Sequence, residues 1–416
     1  MNRAEIYTFG CRLNAYESEV IKKQTIAAGV KNIVVVNSCA VTLEAERQVR
    51  QCIRKARREF PGAKIIVTGC AAQIDPKKYS IMTEVDQVIG NHEKTLYETW
   101  SNLDLKPKVF VNEIKKIKET SQHLIEGFNG KARAFIEIQQ GCDHRCTFCV
   151  IPLGRGQNRS VPMGSIVEQV RILLGKGYQE VVLTGVDITD YGKDLPGKPS
   201  LGQMVKRLIA LVPELPRLRL SSLDPAEIDD DLYSLIEKEP RLMPYFHISI
   251  QSGDNIILKR MKRRHRRSDI EEFVNRVRKL RSDAVFGADF IVGFPTENEE
   301  AFAKSLSLVE ECAITWLHVF PYSERPGTPA AKMPQVPVEI RRKRASALRK
   351  IGLGQVHSFL DKQVGTRSSI LLEKNTEGRA PNFAMVKINQ NFKEGKILPV
   401  LIVAREQEKL IARVEK

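Results

Sequence analysis

The chain has 416 residues, too long for one ordinary hydrophobic core and enough for two or three domains. Hydrophobic residues make up 42% of it, which excludes wholesale disorder, and 26 glycines are too few for a collagen-like repeat. Lys and Arg outnumber Asp and Glu by 66 to 50, a net charge of +16 that points to a polyanionic partner such as nucleic acid.

Short β-rich runs at Glu5 to Phe9, Ile33 to Asn37, Lys64 to Thr68 and Gln87 to Ile89 alternate with helical stretches at Tyr16 to Ala28 and Glu44 to Phe60. This predicts a parallel α/β sheet, with Pro61-Gly62 ending the second helix. From Leu103 to Lys131 the sequence turns polar and charged and reads as a linker, with a strand at Val109 to Val111. Six strand candidates follow, at Ala134 to Gln139, Glu180 to Gly185, Arg217 to Ser221, Phe246 to Gln251, Val285 to Val292 and Trp316 to Pro321. Helical segments follow most of them, which predicts an open, partial (β/α)6 barrel. A basic helix at Val338 to Leu353 leads into short β-runs at Ser369 to Leu372, Phe383 to Ile388 and Val400 to Ala404, expected to form a small β-barrel or sheet. The expected fold class is α/β: a parallel-sheet domain over 1–104, a linker over 105–127, a barrel core over 128–355 and a β-rich domain over 356–416.

The opening residues show no export signal, and the longest apolar runs, such as Ile397 to Ala404, are far short of the roughly 20 residues of a membrane span. A cytoplasmic protein with no membrane partner is expected, its eight cysteines serving as metal ligands or redox groups rather than disulfides.

Cys142, Cys146 and Cys149 lie within eight residues, directly after the first barrel strand, where barrel folds place chemistry. Three thiolates hold three irons of a [4Fe-4S] cluster and leave the fourth iron open to a ligand. Zinc is the competing occupant; it needs a fourth ligand, and His144 lies awkwardly between the thiols. The motif resembles the signature of the radical S-adenosylmethionine (SAM) superfamily, whose open iron binds the amino and carboxylate groups of SAM. The following strand ends are then expected to supply the SAM pocket through Thr184, Gly185, Ser222, Ser249, Gln251, Asp289 and Gly293, although each also reads as an ordinary strand terminus.

Cys11, Cys39 and Cys70 each follow a predicted strand, at spacings of 28 and 31 residues, about one βα unit. Parallel strands joined by crossovers present their C-terminal ends on one edge, so these cysteines are expected to converge and hold a second [4Fe-4S] cluster. Three buried core thiols are the alternative. Cys52 and Cys312 read as packing residues, and His92, His123 and His357 belong to no constellation.

Basic runs at Arg47 to Arg58, Lys259 to Arg267 and Arg341 to Arg344 each read singly as a solvated face, and together favour a phosphate backbone. A basic surface beside a radical site suits an anticodon loop with exposed bases. The candidate RNA contacts are Lys262, Arg263, Arg264, Arg341 and Arg344. Arg155 and Arg159, just past the cluster loop, are read either as contacts to clusters and substrate or as salt-bridge residues.

With both cysteine sets in one chain, the sequence resembles the methylthiotransferases, radical SAM enzymes that insert a methylthio group at an unactivated C–H bond. The resemblance spans nearly the whole chain, through Gly10-Cys-Arg-Leu-Asn14, Gly69-Cys-Ala-Ala-Gln73, Gly90-Asn-His-Glu-Lys94, the triple-Cys loop, Arg155-Gly-Gln-Asn-Arg-Ser160 and Gly287 to Glu297. Glu377 to Phe383 looks like the core motif of the family's C-terminal TRAM domain, which is associated with RNA binding. Cys11-Arg-Leu-Asn14 with Met261-Lys-Arg-Arg-His265 looks most like the MtaB-type branch, which acts on threonylcarbamoyladenosine (t6A) next to the anticodon of tRNA. The resemblance implies two [4Fe-4S] clusters, SAM, a tRNA substrate, a reductant and a sulfur donor. One SAM would methylate the sulfur carried on the second cluster, and another would yield the radical that activates carbon 2 of the adenine. Rival readings are the same chemistry on isopentenyladenosine, methylthiolation of a ribosomal protein, and a non-catalytic RNA-binding protein with structural clusters.

Overall fold

Five parallel strands open the chain in the computed structural model, which describes residues 4–118, 124–128 and 132–415. They are β1 (Glu5–Thr8), β2 (Ile33–Ser38), β3 (Lys64–Gly69), β4 (Gln87–Ile89) and β5 (Val109–Phe110), hydrogen-bonded in chain order. Strand alternation divides their side chains between two faces. Val34, Val36, Ile65 and Val67 meet Val49, Ile53 and Ala56 of the helix Leu43–Glu59, while Ile33, Val35 and Ile66 meet Ile21 and Trp100 on the other side. Thr42 caps the Leu43–Glu59 helix by accepting the Ala45 N–H at 3.1 Å, and Glu44, Glu46, Arg57 and Arg58 suit its dipole. The first helix begins at Arg12, four residues before the expected start, because Gly10 at φ +94° turns the chain directly out of β1. β5 lies within the span read as a linker and extends the first sheet past residue 104. Residues 119–123 and 129–131 of that span, with His123, lie outside the described residues.

The next strands are β6 (Ala134–Glu137), the short antiparallel pair β7 (Gln139–Gln140) and β8 (Arg159–Ser160), β9 (Glu180–Thr184), β10 (Arg217–Leu220), β11 (Tyr245–Gln251), β12 (Val285–Val292) and β13 (Trp316–Pro321). Sheets β10-β9-β6 and β11-β12-β13 join through parallel bridges Leu218 to Leu242 and Leu223 to Ile248. Six parallel strands thus form the expected partial barrel, with helices packed around one continuous core. Tyr16 and Val20 of the first helix belong to that core, while Ile21 belongs to the sheet, so one helix serves two hydrophobic bodies.

The last strands, β14 (Arg367–Lys374), β15 (Glu377–Arg379), β16 (Met385–Ile388), β17 (Ile397–Glu406) and β18 (Lys409–Val414), close into a small barrel. The helix Val338–Asp361 is shared in the same way: Ala345 and Leu348 pack in the large core, Val356 and Leu360 in the small barrel. The loop after β15 faces the larger barrel. Phe383 stacks on Tyr245 at 4.6 Å between centroids and 10° between planes, under the guanidinium groups of Arg133, Arg219 and Arg379. Among the described residues no helix is long and apolar enough to cross a membrane.

Candidate active site

The register of the first sheet explains why three distant cysteines meet. Thr8 pairs with Asn37 and Asn37 with Thr68, so Cys11, Cys39 and Cys70 leave adjacent strands at the same edge. Gly10 is bare because a Cβ there would lie 2.6 Å from Cys39 Sγ. Cys11 is exposed, while Cys39 and Cys70 are buried. Cys39 Sγ accepts the Val41 N–H at 3.5 Å, and Asn91 Nδ2 donates to Cys70 Sγ at 3.7 Å.

Cys142, Cys146 and Cys149 are half-buried in the loop beyond β7. Gly141, at φ +69°, starts this loop where a Cβ would collide with the Gln157 backbone. Cys149 Sγ accepts the Ile151 N–H at 3.4 Å, and Arg263 Nη1 donates to Cys146 Sγ at 3.7 Å. Burial pushes the Cys39 and Cys149 thiols up to about 12 and raises Cys142 as well. A cation reverses that preference, because metal-bound thiols lose their protons, and N–H donors aimed at sulfur suit cluster-bound thiolates. Both triads therefore fit iron–sulfur ligation. His144 Nε2 lies 2.9 Å from an Asp187 carboxylate oxygen and 3.0 Å from one of Asp190, an ion pair when the imidazole is protonated, and Cys142, His144 and Asp187 bring ligand atoms within 4.8 Å of one another without the other two thiols.

A short helix, Ile151–Arg155, links the triads. It leaves the cluster loop and packs Gly154 on Cys70, where an added Cβ would lie 3.3 Å from the Cys70 Cβ. Arg155 then enters a buried network: Nη1 and Nη2 donate to Glu17 at 2.9 and 3.0 Å, with further bonds to Asn14 (2.6 Å) and Gln140 (2.8 Å). Lys94 Nζ donates to Glu17 (2.7 Å), Asn91 (2.7 Å) and Asn37 (3.2 Å). Burial opposes the charge on Glu17, yet Arg155 and Lys94 prevail and hold its carboxyl well below the usual range. Sequence reasoning missed Glu17, which looks like a surface residue of an amphipathic helix; the Gly90 to Lys94 motif was the available signal for Asn91 and Lys94.

A cavity of about 240 Å³ opens between Val41 and Thr42 of the first sheet, Phe148 to Ile151, and the barrel residues Gln251, Asp289, Ile291 and Phe320 to Ser323. Of the residues expected to bind SAM, Gln251 and Asp289 line it. Thr184 is buried within its strand, Gly185 abuts Gln139, and Ser249 gives its carbonyl to Arg263. Ser222, half-buried just beyond β10, is not part of the lining. Gly293 at φ +67° admits Arg341 rather than a ligand. Asp289 Oδ1 is shared by His247 Nε2 (2.9 Å) and His318 Nδ1 (3.0 Å), and Tyr245 hydroxyl bonds His247 Nδ1 (3.0 Å).

The expected RNA contacts need correction. Arg155, Arg159, Arg341 and Arg344 are all buried and engaged, Arg341 with Glu324 (3.0 Å) and Arg344 with Glu297 (2.9 Å) and Glu299 (2.6 Å). Arg263 is held by Asp224 at 2.8 Å, and exposed Arg264 pairs with Glu227. Lys262 alone of the seven is exposed with no ion pair among the described residues. The phase of the helix Val338–Asp361 explains two of these: Arg341, Arg344, Ala345 and Leu348 share its inner face, and Arg342, Lys343, Arg349 and Lys350 look outward.

Residues 136–309 match the family model described as Radical SAM superfamily, and residues 3–90 match that described as Uncharacterized protein family UPF0004. A Rickettsia prowazekii protein named threonylcarbamoyladenosine tRNA methylthiotransferase MtaB is 53% identical, covering 97% of this chain and 96% of that protein. An Aquifex aeolicus protein of the same name is 36% identical over 95% and 98%. The tRNA-2-methylthio-N(6)-dimethylallyladenosine synthase of Ehrlichia chaffeensis is 32% identical over 91% and 89%. Among solved structures, the radical S-adenosylmethionine methyltransferase TsrM from Kitasatospora setae matches with a TM-score of 0.58 at 14% identity, over 80% of this chain and 77% of that one, a likeness of fold.

Proposed function

The chain belongs to the radical SAM methylthiotransferase family, and from that membership we propose that it converts t6A next to the anticodon of tRNA to its 2-methylthio derivative. The observation carrying this reading is the pair of cysteine triads, joined by the Ile151–Arg155 helix beside one cavity. Higher identity to the relative named for t6A than to the one named for dimethylallyladenosine supports the branch.

Cys142, Cys146 and Cys149 would hold the cluster that binds SAM, and Cys11, Cys39 and Cys70 would hold the auxiliary cluster. When bound, these clusters and SAM supply the electron, the radical and the transferable sulfur. The chain's task is positioning and exclusion of water. Phe148, Val150, Ile151 and Phe320 give the cavity apolar walls, Gln251 adds a polar side chain, and Asp289 adds a carboxylate oriented by His247 and His318. The Arg155 network sets the separation of the triads. The exposed cations of the helix Val338–Asp361 and Lys262 are the surface for tRNA.

Mass spectrometry of tRNA nucleosides from cells lacking the protein and from cells with it restored tests this. Loss and return of methylthiolated t6A is expected. A change confined to the isopentenyl derivative would move the enzyme to that branch, and no change in either would overturn a tRNA substrate.

A further inference from the structure

Arg12 follows Cys11 directly and begins the helix that packs against the large barrel through Tyr16 and Val20. It is half-buried, and its guanidinium makes no hydrogen bond or ion pair with any described residue. It stands four and eight residues before Tyr16 and Val20, on the helix face that packs against the barrel, and Tyr245, Asp289, Arg133 and Arg219 lie within its electrostatic reach.

The charges there do not balance. Glu180 is bonded to Arg219 at 2.7 Å, with Arg133 and Arg217 at 3.7 Å. Glu373 is shared by Arg133 (2.8 Å) and Arg379 (3.3 Å), and Asp289 by two imidazoles. With Arg12 included, five guanidiniums stand against three carboxylates, and Arg12 is the member left without a bond. A half-buried guanidinium with no partner among the described residues gains from an anion that completes its hydrogen bonds. Asp289, within electrostatic reach of Arg12, also lines the cavity, and Arg12 adjoins Cys11, so an anionic group on a molecule entering the cavity is the partner this guanidinium is placed to take.

This step rests on the t6A reading. The threonylcarbamoyl group on N6 carries one free carboxylate, and an isopentenyl group carries none. We propose that Arg12 binds the threonyl carboxylate of the substrate nucleoside and thereby selects t6A over adenosines whose N6 substituent is uncharged. A guanidinium fork matches a carboxylate in two parallel N–H···O bonds, which gives orientation as well as charge.

The test uses the reconstituted enzyme and four anticodon stem-loops, bearing t6A, its neutral carboxamide, isopentenyladenosine, or unmodified adenosine. Affinity is read by fluorescence anisotropy, and KM and kcat of methylthiolation are read separately. The wild type should bind the acid about 10- to 100-fold more tightly than the amide, the range for a charged hydrogen-bonded pair. Arg12→Gln should bring that ratio close to one, chiefly through KM, and Arg12→Lys should restore part of it. A wild type that treats acid and amide alike overturns the proposal without any variant. So does Arg12→Gln with an unchanged ratio, or with an equal loss on the unmodified stem-loop, which would assign the guanidinium to a backbone phosphate. Wild-type turnover of an isopentenyl stem-loop but not of t6A would instead refute the functional reading beneath it.

Discussion

Glu17 is 2% exposed and sits between two cations, one from each side of the junction between sheet and barrel. Glu17→Gln keeps the shape but leaves Lys94 and Arg155 short of a charge, and breaking such a buried set costs about 3–5 kcal/mol. Urea unfolding should show that loss as a lower midpoint with iron-loaded protein. The same carboxylate has a pH signature. Its folded value is depressed, so its stabilisation is complete above the unfolded value of 4.5 and is lost as the pH falls below it. Acid titration of wild type should show a transition below pH 4.5 that Glu17→Gln lacks. No pattern in the sequence marks Glu17, because both partners come from other elements, 77 and 138 residues away.

At the scale of the element, the sequence was most informative where apolar runs end in a cysteine. β1, β2 and β3 are short, hydrophobic and parallel, and their common edge follows from that topology alone. The six barrel strands were legible for the same reason. Helix phase at the basic runs was not, since Arg341 and Arg344 become interior only when Glu297 and Glu324 arrive from elsewhere in the chain. A motif-level prediction belongs here as well. Gly10→Ala combines an unfavourable positive φ with a Cβ driven onto Cys39. It should cut reconstituted iron to about half, because one of two comparable clusters is lost while the other remains. Iron assay together with paramagnetic resonance of the reduced protein would show it, and full iron content would contradict the close approach described.

The whole molecule is held by elements that belong to two bodies at once. The first helix joins sheet and barrel, the helix Val338–Asp361 joins the two barrels, and Arg325 of the loop after β13 pairs with Glu46 on the sheet side. Phe383 adds a plug between the barrels. Its stacking on Tyr245 and three guanidinium contacts predict that Phe383→Ala loosens the small barrel by about 2 kcal/mol. Calorimetry should then resolve an earlier transition, with protease cleavage near residues 362–366 appearing at lower temperature. The resemblance identified the segment containing Phe383, yet only the packed structure shows that its ring points into the neighbouring barrel rather than outward.

The uneven exposure of the first triad has a practical consequence for handling. A water-borne alkylating reagent reaches the sulfur of Cys11 long before those of Cys39 and Cys70, which are 5% and 4% exposed. One carbamidomethyl group at Cys11 is enough to deny the auxiliary site a ligand while the other thiols remain intact. Peptide mapping after brief iodoacetamide treatment of iron-free protein would therefore find the Cys11 peptide labelled before those of Cys39 and Cys70.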